Sequence, residues 1–329
     1  MQHTPGITGL GYYLPERVLT NAELERMVDT TDEWIVARTG IRERRIAPPE
    51  EAFSDLGLRA ANRALHDAGV DPSELDMIIV ATDTPDMIFP NTASLIQRGL
   101  GAWRAACFDL LAACSGFIYG LSVASQYVRS GTHEKILVVG GSLLSRITDW
   151  QDRNTCVLFG DGAGAAVVGR VEAGFGLLSV ILGADGRGAT HLSLPAGGSR
   201  LPASHETVEQ GMHYLHMNGR EVFKFAVRVF EEAAEEAIVQ AGISKEDIDL
   251  FVPHQANIRI IEAAAKRYAL PKEKVMVNLD RYGNISAATI PVALQEAREA
   301  GRVTKGDHIL MAAFGAGLTY AAAVLRWAL

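Results

Sequence analysis

Residues 64–80 read ALHDAGVDPSELDMIIV, and residues 237–253 read AIVQAGISKEDIDLFVP. Each stretch has the pattern of a helix end, a glycine, a short acidic connection and a buried strand. A second similarity follows in the same order, because FGDGAGAAVV at 159–168 has a counterpart in FGAGLTYAAAVL at 314–325. One shared pattern is compatible with chance, whereas two in the same order indicate a duplicated α/β unit.

Around this repeat, short apolar runs alternate with helical patterns. The runs typical of buried strands are 77–82, 136–140, 248–252 and 309–313, and helices are predicted over 114–129 and over 219–241, the latter ending at Gly242. The predicted fold class is therefore α/β, with helices covering buried sheets. We place the boundary near 170–176, which gives two halves, 1–172 and 173–329. Segment 184–211, rich in Gly, Ser, Pro and His, is interpreted as a long loop able to cover a site.

Composition excludes several classes of protein. Hydrophobic residues make up 48% of the 329 residues and charged residues 21%, which is ordinary for a globular protein. The formal net charge of −8 argues against general nucleic-acid binding. No run has the roughly 18 apolar residues of a membrane span, and we expect no membrane association. The N-terminal residues lack a signal-peptide pattern and the chain has three cysteines, so we expect a cytoplasmic protein with free thiols.

Cys114, in DLLAACSGF, is the first candidate for chemistry. An apolar segment leads directly into it and an amphipathic helix follows, so it lies at a strand-to-helix junction. The dipole and free N–H groups of a helix N-terminus stabilise a thiolate and lower the pKa of a cysteine. Ser115 and Gly116 are small enough to let backbone N–H groups approach a substrate oxygen. We therefore predict that Cys114 is a nucleophile rather than an inert buried cysteine.

The second half contains two further candidate residues, His254 and Asn284. His254 ends a strand of the repeat in IDLFVPHQAN, where duplicated α/β folds bind ligands, and it is a candidate acid, base or hydrogen-bond donor. Asn284, in RYGNISAATIP, opens a small-residue helix much as Cys114 opens one in the first half. Its local sequence alone favours an ordinary helix N-cap. The symmetry of the two halves is what predicts that Asn284 meets Cys114.

Three other features receive structural interpretations. Cys107 and Cys156 lie in or beside apolar runs and are interpreted as buried, unreactive thiols. The run FGDGAG at 159–164 lacks the Lys-Ser/Thr of a phosphate loop and is followed by a strand-like AAVV, so we interpret it as tight turns. No CxxC or His/Cys cluster has the spacing of metal ligands, and we expect no metal site.

With Cys114, His254 and Asn284 at these positions, the sequence resembles the β-ketoacyl-[acyl carrier protein] synthase III family, the initiating condensing enzymes of type II fatty-acid synthesis. The resemblance covers nearly the whole chain through ITGLGYYLPERVLTN, TDEWIVARTGIRERR, ACSGF, FGDGAGAAVV, VPHQAN, YGNISAATIP and FGAGLTY. It implies the thiolase fold, in which two similar halves form a five-layer α-β-α-β-α arrangement. It also implies a homodimer.

The resemblance implies a two-step reaction that uses no metal and no organic cofactor. Cys114 would attack an acyl-CoA thioester and hold the acyl group. His254 and Asn284 would donate hydrogen bonds to the thioester carbonyl of malonyl-acyl carrier protein (malonyl-ACP), stabilising the enolate formed as CO₂ leaves. The oxyanion hole would use the backbone N–H groups of Cys114 and Ala316; Ala316 departs from the unbroken glycine run of some members.

Binding residues also follow from the resemblance. Trp34 and Arg153 match the pair that sandwiches the CoA adenine, by stacking with a cation–π component. The other CoA contacts implied are Thr30, Arg38, Gly219, Phe223, Ala256 and Asn257. Phe89 matches the residue that reaches into the partner subunit's acyl pocket. A bulky residue there resembles members that use short primers such as acetyl, without excluding branched ones.

Basic residues suggest where an acidic acyl carrier protein would dock. Arg220, Lys224 and Arg228 lie four residues apart on one predicted helix, and a second group lies on the helix after His254. The residues that we expect to contact the carrier protein are Lys224, Gln255, Ala256, Asn257, Ile258, Arg259, Lys266 and Arg267. A solvated helix face is the alternative interpretation of each single residue.

The cysteines, His254 and Asn284 also bear on other functions known for this fold. A degradative thiolase needs a second active cysteine in the C-terminal half, and no cysteine follows Cys156. Elongating synthases use two histidines, whereas Asn284 occupies the second position here. A relative that primes a specialised pathway stays open, because it would keep every motif. A non-enzymatic scaffold that binds acyl carrier protein would not need the Cys/His/Asn set.

Overall fold

Strands and helices alternate along most of the chain in the computed structural model, which describes residues 3–329. The strands are β1 (Pro5–Tyr13), β2 (Arg17–Thr20), β3 (Glu43–Ile46), β4 (Met77–Ala81), β5 (Ala106–Leu110), β6 (Ile136–Leu143), β7 (Asp161–Arg170), β8 (Gly176–Ala184), β9 (Leu192–Ser193), β10 (His216–Met217), β11 (Leu250–Pro253), β12 (His308–Gly315) and β13 (Thr319–Arg326). The helices are α1 (Asn21–Leu24), α2 (Asp32–Thr39), α3 (Phe53–Ala68), α4 (Thr92–Leu100), α5 (Gly116–Ser130), α6 (His205–Glu209), α7 (Gly219–Ala241), α8 (Ile258–Arg267), α9 (Leu279–Tyr282) and α10 (Thr289–Glu299).

The two main sheets have the same strand order. The first runs β1-β7-β6-β4-β5 and the second runs β8-β13-β12-β11. In both, one corresponding pair is parallel (β4 with β6, β11 with β12) and the other pairs are antiparallel, except that β5 is parallel to β4. The second half has no counterpart of β5 beyond one parallel bridge between Phe251 and Val275. The shared order confirms the duplication that the sequence indicates.

Five layers follow from which faces are buried. Ile78 and Val80 of β4 pack against α3 on the outer side, whereas Met77 and Ile79 pack inward against α5. This alternation gives a strand that is buried on both faces, as in a sheet covered by helices on each side. Helices α5 and α10 share one core between the two sheets, and α7 and α8 cover the outer face of the second sheet. The arrangement is the α-β-α-β-α order of the thiolase fold.

Several elements agree with the sequence, and others differ for local reasons. Helix α7 spans the predicted residues and ends at Gly242, whose φ is 71°. The helix predicted from Cys114 begins at Gly116, because a 3₁₀ turn at Ala113–Ser115 precedes it. Strand β11 begins at Leu250, two residues later than predicted.

The glycine run FGDGAG does not form the tight turns that the sequence analysis favoured. Most of it lies in β7, which begins at Asp161. The glycines have a packing function there, since a Cβ placed on Gly164 would lie 2.5 Å from Cγ of Pro291 in α10. Close helix-to-strand packing, rather than chain reversal, explains why the run contains no side chain larger than a methyl group after Asp161.

Segment 184–211 is largely the expected loop, with short ordered pieces. It contains a 3₁₀ turn at Gly186–His191, strand β9 and helix α6, and β9 pairs with β10. The proposed boundary between halves, at 172/173, lies in the connection from β7 to β8. None of the helices within residues 3–329 is long and apolar enough to cross a membrane.

Candidate active site

One cavity of about 1160 Å³ opens at the carboxyl ends of the parallel strands of both sheets. Cys114, His254 and Asn284 line it together, as the symmetry argument predicts. Most other sequence-predicted residues line the same cavity: Trp34, Arg38, Gly219, Phe223, Lys224, Ala256, Asn257, Arg259 and Ala316. The remaining ones are not part of its wall: Thr30, Phe89, Arg153, Gln255, Ile258, Lys266 and Arg267.

The thiol of Cys114 is buried, with 8% of the residue exposed. It lies in the 3₁₀ turn before α5, and its Sγ is 3.5 Å from the hydroxyl of Ser286. Burial, with a smaller contribution from the charge of Asp83, raises the pKa of Cys114 to about 12. The predicted lowering of the thiol pKa is therefore not found in the unliganded site, because desolvation outweighs the helix N-terminus.

Strained backbone surrounds the nucleophile. Ala113 precedes it with a φ of 48°, Ser286 has a φ of 51° and Leu318 has a φ of 47°. Non-glycine residues rarely adopt this left-handed region, and each costs about 1–3 kcal/mol unless the surrounding structure compensates. These three lie in the turns that carry Cys114, follow Asn284 and close the loop after β12. Three of the positive-φ residues thus lie close to Cys114 or Asn284 in the chain or in the loop that approaches Cys114.

His254 follows β11 directly, and its backbone N–H donates to the carbonyl of Ala312 at 2.8 Å. Its Nδ1 lies 2.7 Å from Oγ1 of Thr289, and its ring packs edge-to-face against Phe314. Burial lowers the pKa of His254 to about 3, which keeps the imidazole neutral. The Nε2 atom is buried and has no hydrogen-bond partner among residues 3–329. That atom is therefore available to a substrate in the cavity.

Asn284 is held by its own backbone rather than acting as a helix N-cap. Its N–H donates to Leu158 at 2.8 Å and its carbonyl accepts from Gly160 at 3.0 Å, which fixes it beside the FGDGAG run. Its Oδ1 accepts from the backbone N–H of Ser286 at 2.9 Å. The amide is therefore oriented with Nδ2, a donor, as the free end.

The loop after β12 approaches the nucleophile closely. A Cβ placed on Gly315 would lie 2.6 Å from the backbone nitrogen of Cys114, so only glycine allows this contact. Ala316 follows in a 3₁₀ turn and does not have a positive φ, whereas Gly317 has a φ of 71°. Alanine at 316 is therefore compatible with the backbone, and the strained positions fall on Gly317 and Leu318.

Trp34 marks the outer end of the cavity. The guanidinium carbons of Arg38 and Arg153 lie 4.8 Å and 4.6 Å from its ring centroid. An aromatic ring between Trp34 and Arg153 needs a gap of about 7 Å, which is twice a stacking distance of roughly 3.5 Å. The spacing between Trp34 and Arg153 therefore leaves no room for a further ring, and Arg153 is held by a 2.7 Å bond to the carbonyl of Asp29.

Two further residues at this end have unused or bridging polar groups. The hydroxyl of Thr30 is buried without a partner among residues 3–329. Asn257 caps α8 and donates to the carbonyl of Arg38 at 3.0 Å, which joins α2 to α8 beside the opening.

The basic residues differ in how free their charges are. Lys224 pairs with Glu221, and Arg267 pairs with Glu231. Arg220, Arg259 and Lys266 make no ion pair within residues 3–329, and they are exposed. We call these three the free basic group. The positive charge available at the opening therefore comes from this group more than from Lys224 or Arg267.

Gln255 does not have the exposure expected of a carrier-protein contact. It is fully buried, and its Nε2 donates to the carbonyls of Pro253 and Met276 at 2.8 Å and 3.1 Å. Its Oε1 accepts from the N–H of Asn278. Gln255 therefore supports the loop after β11 from inside the protein. Phe89, in contrast, is 83% exposed, as a residue that contacts a partner subunit would be in a single chain.

Asp83, Ser286 and Thr289 also lie at this site, although the sequence does not single them out. Asp83 lies two residues beyond β4 and lines the cavity, so the position rule that identified His254 also applied to it. Ser286 and Thr289 lie within the quoted segment YGNISAATIP, but nothing in their spacing indicates a contact with Cys114 or His254. Their roles depend on the positive φ of Ser286.

Comparison with known proteins gives one answer. A family model described as 3-oxoacyl-[acyl-carrier-protein (ACP)] synthase III matches residues 108–186. A second model, described as the C-terminal part of the same synthase, matches residues 238–327. A β-ketoacyl-[acyl-carrier-protein] synthase III from Symbiobacterium thermophilum is 62% identical over 98% of each chain. The structure of the Thermus thermophilus synthase III is 55% identical with a TM-score of 0.92, covering 98% of this chain and 99% of that one.

A priming β-ketosynthase from the R1128 polyketide biosynthetic pathway is 40% identical with a TM-score of 0.91, covering 98% of this chain and 96% of that one. The full-length matches at this identity leave no segment of the fold outside the resemblance. The chain belongs to the β-ketoacyl-[acyl carrier protein] synthase III family of condensing acyltransferases.

Proposed function

We propose that this chain condenses an acyl-CoA primer with malonyl-ACP, releasing CoA and CO₂, and so initiates type II fatty-acid synthesis. The observation that carries the proposal is the meeting of three groups at the inner end of one cavity: the Cys114 thiol, the unpartnered Nε2 of His254 and the free amide end of Asn284. No cofactor takes part in the proposed reaction.

In the first half-reaction, Sγ of Cys114 attacks the acyl carbon. The bond to the CoA sulfur breaks, and the thiol proton of Cys114 leaves with CoA as its thiol. The developing oxyanion would accept hydrogen bonds from the backbone N–H groups of Cys114 and Ala316, which the close approach of Gly315 brings together. The low exposure of Cys114 favours this step over hydrolysis, because little water reaches the acyl-enzyme.

In the second half-reaction, the malonyl thioester carbonyl would accept hydrogen bonds from Asn284 Nδ2 and His254 Nε2. As CO₂ leaves, the electron pair of the broken carbon–carbon bond enters the enolate, and these donors stabilise its oxygen. The enolate carbon then attacks the acyl carbon on Cys114 and displaces the cysteine thiolate, which recovers a proton from solvent.

His254 can donate from Nε2 only in one tautomer, and Thr289 supports that tautomer. When the Thr289 hydroxyl donates to Nδ1 at 2.7 Å, the ring hydrogen resides on Nε2. The same hydroxyl has an alternative acceptor in the carbonyl of Ser286 at 3.0 Å. Thr289 is thus a positioning residue for His254 in this proposal. Because the pKa of His254 is about 3, the donor is neutral imidazole.

The outer cavity fits a long, phosphorylated thioester carrier. We propose that Thr30, Trp34, Arg38 and Arg153 bind the nucleotide end of CoA, and that Gly219, Phe223, Ala256 and Asn257 line the passage for pantetheine. The free basic group, with Lys224, Ile258 and Arg267 beside it, would steer the acidic carrier protein to the same opening. Both substrates then deliver their thioesters along one path to Cys114.

A homodimer and a cytoplasmic location belong to the same proposal. Strand β5 is the edge of the first sheet and has partly exposed residues, so it can pair with a second copy. Phe89 is exposed close by in sequence and would enter the partner's acyl pocket. Sedimentation equilibrium should give twice the 35.4 kDa of the chain, and a monomer at micromolar concentration would contradict the assembly.

Labelling tests the reaction itself. Incubation with radiolabelled acyl-CoA should place one acyl group on Cys114, located by peptide mapping, and addition of malonyl-ACP should discharge it as β-ketoacyl-ACP. Absence of label on Cys114 would refute the condensing mechanism. A scaffold that only binds carrier protein would also fail to label.

A priming role in a specialised pathway is the second candidate, favoured by the similarity to the R1128 priming β-ketosynthase. A panel of primers from acetyl to branched and longer acyl-CoAs, each assayed with malonyl-ACP, separates the two roles. Preference for a short or branched primer that matches the fatty acids of the cell supports fatty-acid synthesis. Preference for an acyl group that those fatty acids do not contain supports the specialised role.

A further inference from the structure

A buried chain of hydrogen bonds leads from the nucleophile to a carboxyl group. The hydroxyl of Ser286 lies 3.5 Å from Sγ of Cys114 and 2.5 Å from Oδ2 of Asp83. Asp83 is half-buried, lines the cavity and lies just beyond the end of β4. Ser286 is itself fully buried. The Ser286 side chain therefore connects the Cys114 thiol directly to the Asp83 carboxyl.

The second hydroxyl near Asp83 has no hydrogen to offer it. Ser142 Oγ lies 2.6 Å from the carbonyl of Gly141, and since a carbonyl only accepts, the Ser142 hydrogen is used there. Ser142 Oγ accepts in turn from the backbone N–H of Asp83 at 3.1 Å. The 3.3 Å contact from Ser142 to Oδ2 of Asp83 is consequently a weak one. Ser286 is the hydroxyl that exchanges a hydrogen with the carboxyl.

We infer that Asp83 accepts the thiol proton of Cys114 through the hydroxyl of Ser286. Before transfer, the Cys114 S–H donates to Ser286 Oγ, and the Ser286 O–H donates to the Asp83 carboxylate. The thiol proton moves to Oγ while the hydroxyl proton moves to Oδ2. The products are a thiolate that accepts from the Ser286 O–H, and a neutral Asp83 that donates to Oγ. Each hydrogen-bond pattern is complete, and the single negative charge has moved from oxygen to sulfur. Once the thiolate has attacked the acyl carbon, the proton held by Asp83 passes to the departing CoA sulfur, so that Asp83 is again a carboxylate and CoA leaves as its thiol.

The surroundings favour one shared charge over two. Burial raises the pKa of Asp83, and burial together with the Asp83 charge raises that of Cys114. Two anions this close are disfavoured, so the pair titrates as a unit. His254 is another titratable side chain that lines the cavity with Cys114. With a pKa of about 3, its imidazole is a weak base for this proton, whereas a carboxyl of raised pKa is a better match.

This inference rests on the proposed role of Cys114 as the nucleophile, and thiol reactivity tests it without acyl-CoA. We would measure the rate of Cys114 alkylation by iodoacetamide from about pH 6 to about pH 10, by peptide mass spectrometry. Asp83→Asn should slow alkylation throughout this pH range by about tenfold or more, since tenfold corresponds to about one pKa unit. Ser286→Ala should give the same change, because it breaks the chain while Asp83 remains.

The opposite sign overturns the inference. If Asp83 were only a charged neighbour, Asp83→Asn would remove a repulsion, lower the thiol pKa and speed alkylation. Ser142→Ala is the matched control, because Ser142 contacts Asp83 but lies off the path to Cys114, and it should change the rate less than about twofold. The alkylation of Cys156, which is fully buried, reports folding in every variant, since loss of structure would expose it.

The two failures are distinguishable. If the relay is wrong but the proposed function is right, wild-type Cys114 still takes up the acyl label and Asp83→Asn alkylates as fast as wild type or faster. If the proposed function is wrong, no acyl label appears on Cys114, whatever the alkylation profile of the variants.

Discussion

At Cys114 two local effects oppose each other, and their sizes decide the outcome. The N-terminus of α5 favours a thiolate by about 0.3–2 kcal/mol. The rise of the thiol pKa from 9.0 to about 12 corresponds to roughly 4 kcal/mol against the thiolate. The resting enzyme therefore holds a neutral thiol. In the proposed reaction its activation would depend on a proton acceptor more than on the helix dipole.

Replacing Cys114 with alanine should separate the two half-reactions. Acyl transfer should be abolished, because no sulfur remains to hold the acyl group. Decarboxylation of malonyl-ACP should continue, since His254 and Asn284 keep their hydrogen-bond donors. Release of labelled CO₂ from malonyl-ACP measures it. Complete loss of CO₂ release in a variant with a wild-type circular dichroism spectrum would show that the division of roles is wrong.

The burial of His254 predicts a specific dependence of stability on pH. The folded pKa of about 3 lies below the unfolded value of roughly 6.5, so below about pH 6.5 the unfolded chain binds a proton that the folded chain does not. Stability should fall as pH falls, by about 2 kcal/mol at pH 5 from this group alone. Urea denaturation of wild type and His254→Asn at pH 7 and pH 5 measures it.

The comparison between those two proteins is what counts, because Asp83 and Asp161, whose pKa values are raised by desolvation, are common to both. The wild type should lose more stability between pH 7 and pH 5 than the variant does. Equal losses would mean that His254 is not held neutral in the folded protein.

Among single residues, those whose positions follow from the internal repeat could be predicted from the sequence. His254 directly follows β11, Cys114 lies in the turn before α5, and Asn284 lies shortly before the turn that leads into α10, which begins at Thr289 rather than at Asn284 as predicted. Such approximate positions can be inferred from periodicity and symmetry. Ser286 and Thr289 could not be inferred in this way. Their contacts depend on a left-handed φ at a serine, which local propensity disfavours and only tertiary packing imposes.

Among the elements, β7 shows how glycine permits two layers to approach. Gly164→Ala would place a methyl group 2.5 Å from Pro291, so α10 would have to move away from the sheet. Such overpacking costs about 1–3 kcal/mol. Thermal denaturation should show a lower midpoint for this variant. Gly186→Ala, where a Cβ meets nothing within 4 Å, should leave the midpoint nearly unchanged.

A shift of α10 also has a functional consequence, which gives that prediction a second measurement. The helix begins at Thr289, next to His254, so Gly164→Ala should reduce decarboxylation more than Gly186→Ala does. Unchanged stability and activity in Gly164→Ala would mean that the contact relaxes without moving the helix.

Element boundaries were predictable where one signal dominated. Helix α7 has a regular apolar period and a C-terminal glycine, and both ends fell where expected. The start of α5 did not, because a 3₁₀ turn with left-handed Ala113 interrupts the strand-to-helix junction. The FGDGAG run was misjudged because glycine serves both turns and close packing, and the sequence does not show which helix lies opposite.

For the whole molecule, charge near the cavity opening should affect one substrate more than the other. Arg259 belongs to the free basic group and lies over the ring of Phe223 at 5.6 Å. Arg259→Gln should raise KM for malonyl-ACP several-fold and KM for acyl-CoA less, because the carrier protein presents an extended acidic surface. The difference should shrink at high salt, since exposed charges are screened.

Lys305→Gln provides the control, because Lys305 precedes β12 at the end of that strand opposite to Gly315. Steady-state kinetics of both variants with each substrate should show an effect for Arg259→Gln alone. Equal increases of both KM values in Arg259→Gln would argue against a docking surface at this position.

The global arrangement was largely predictable, since two matching α/β patterns and a family resemblance define the layers. The side-chain conformations at the opening of the cavity were not predictable. In the structure Arg153 packs against the ring of Trp34, and Gln255 is buried rather than exposed. Both depend on side-chain conformations that a residue's identity and spacing leave undetermined.

The lone bridge between Phe251 and Val275 has a consequence for growth beyond the dimer. On this side the first half presents β5 as an open edge, whereas the second half presents a short β11 that ends at a proline. Two equally open edges would let copies add one after another into a fibre. In the proposed homodimer, joining through β5 uses the open edge of both copies at once. In that dimer, the difference between the two halves would limit addition at this edge to two copies.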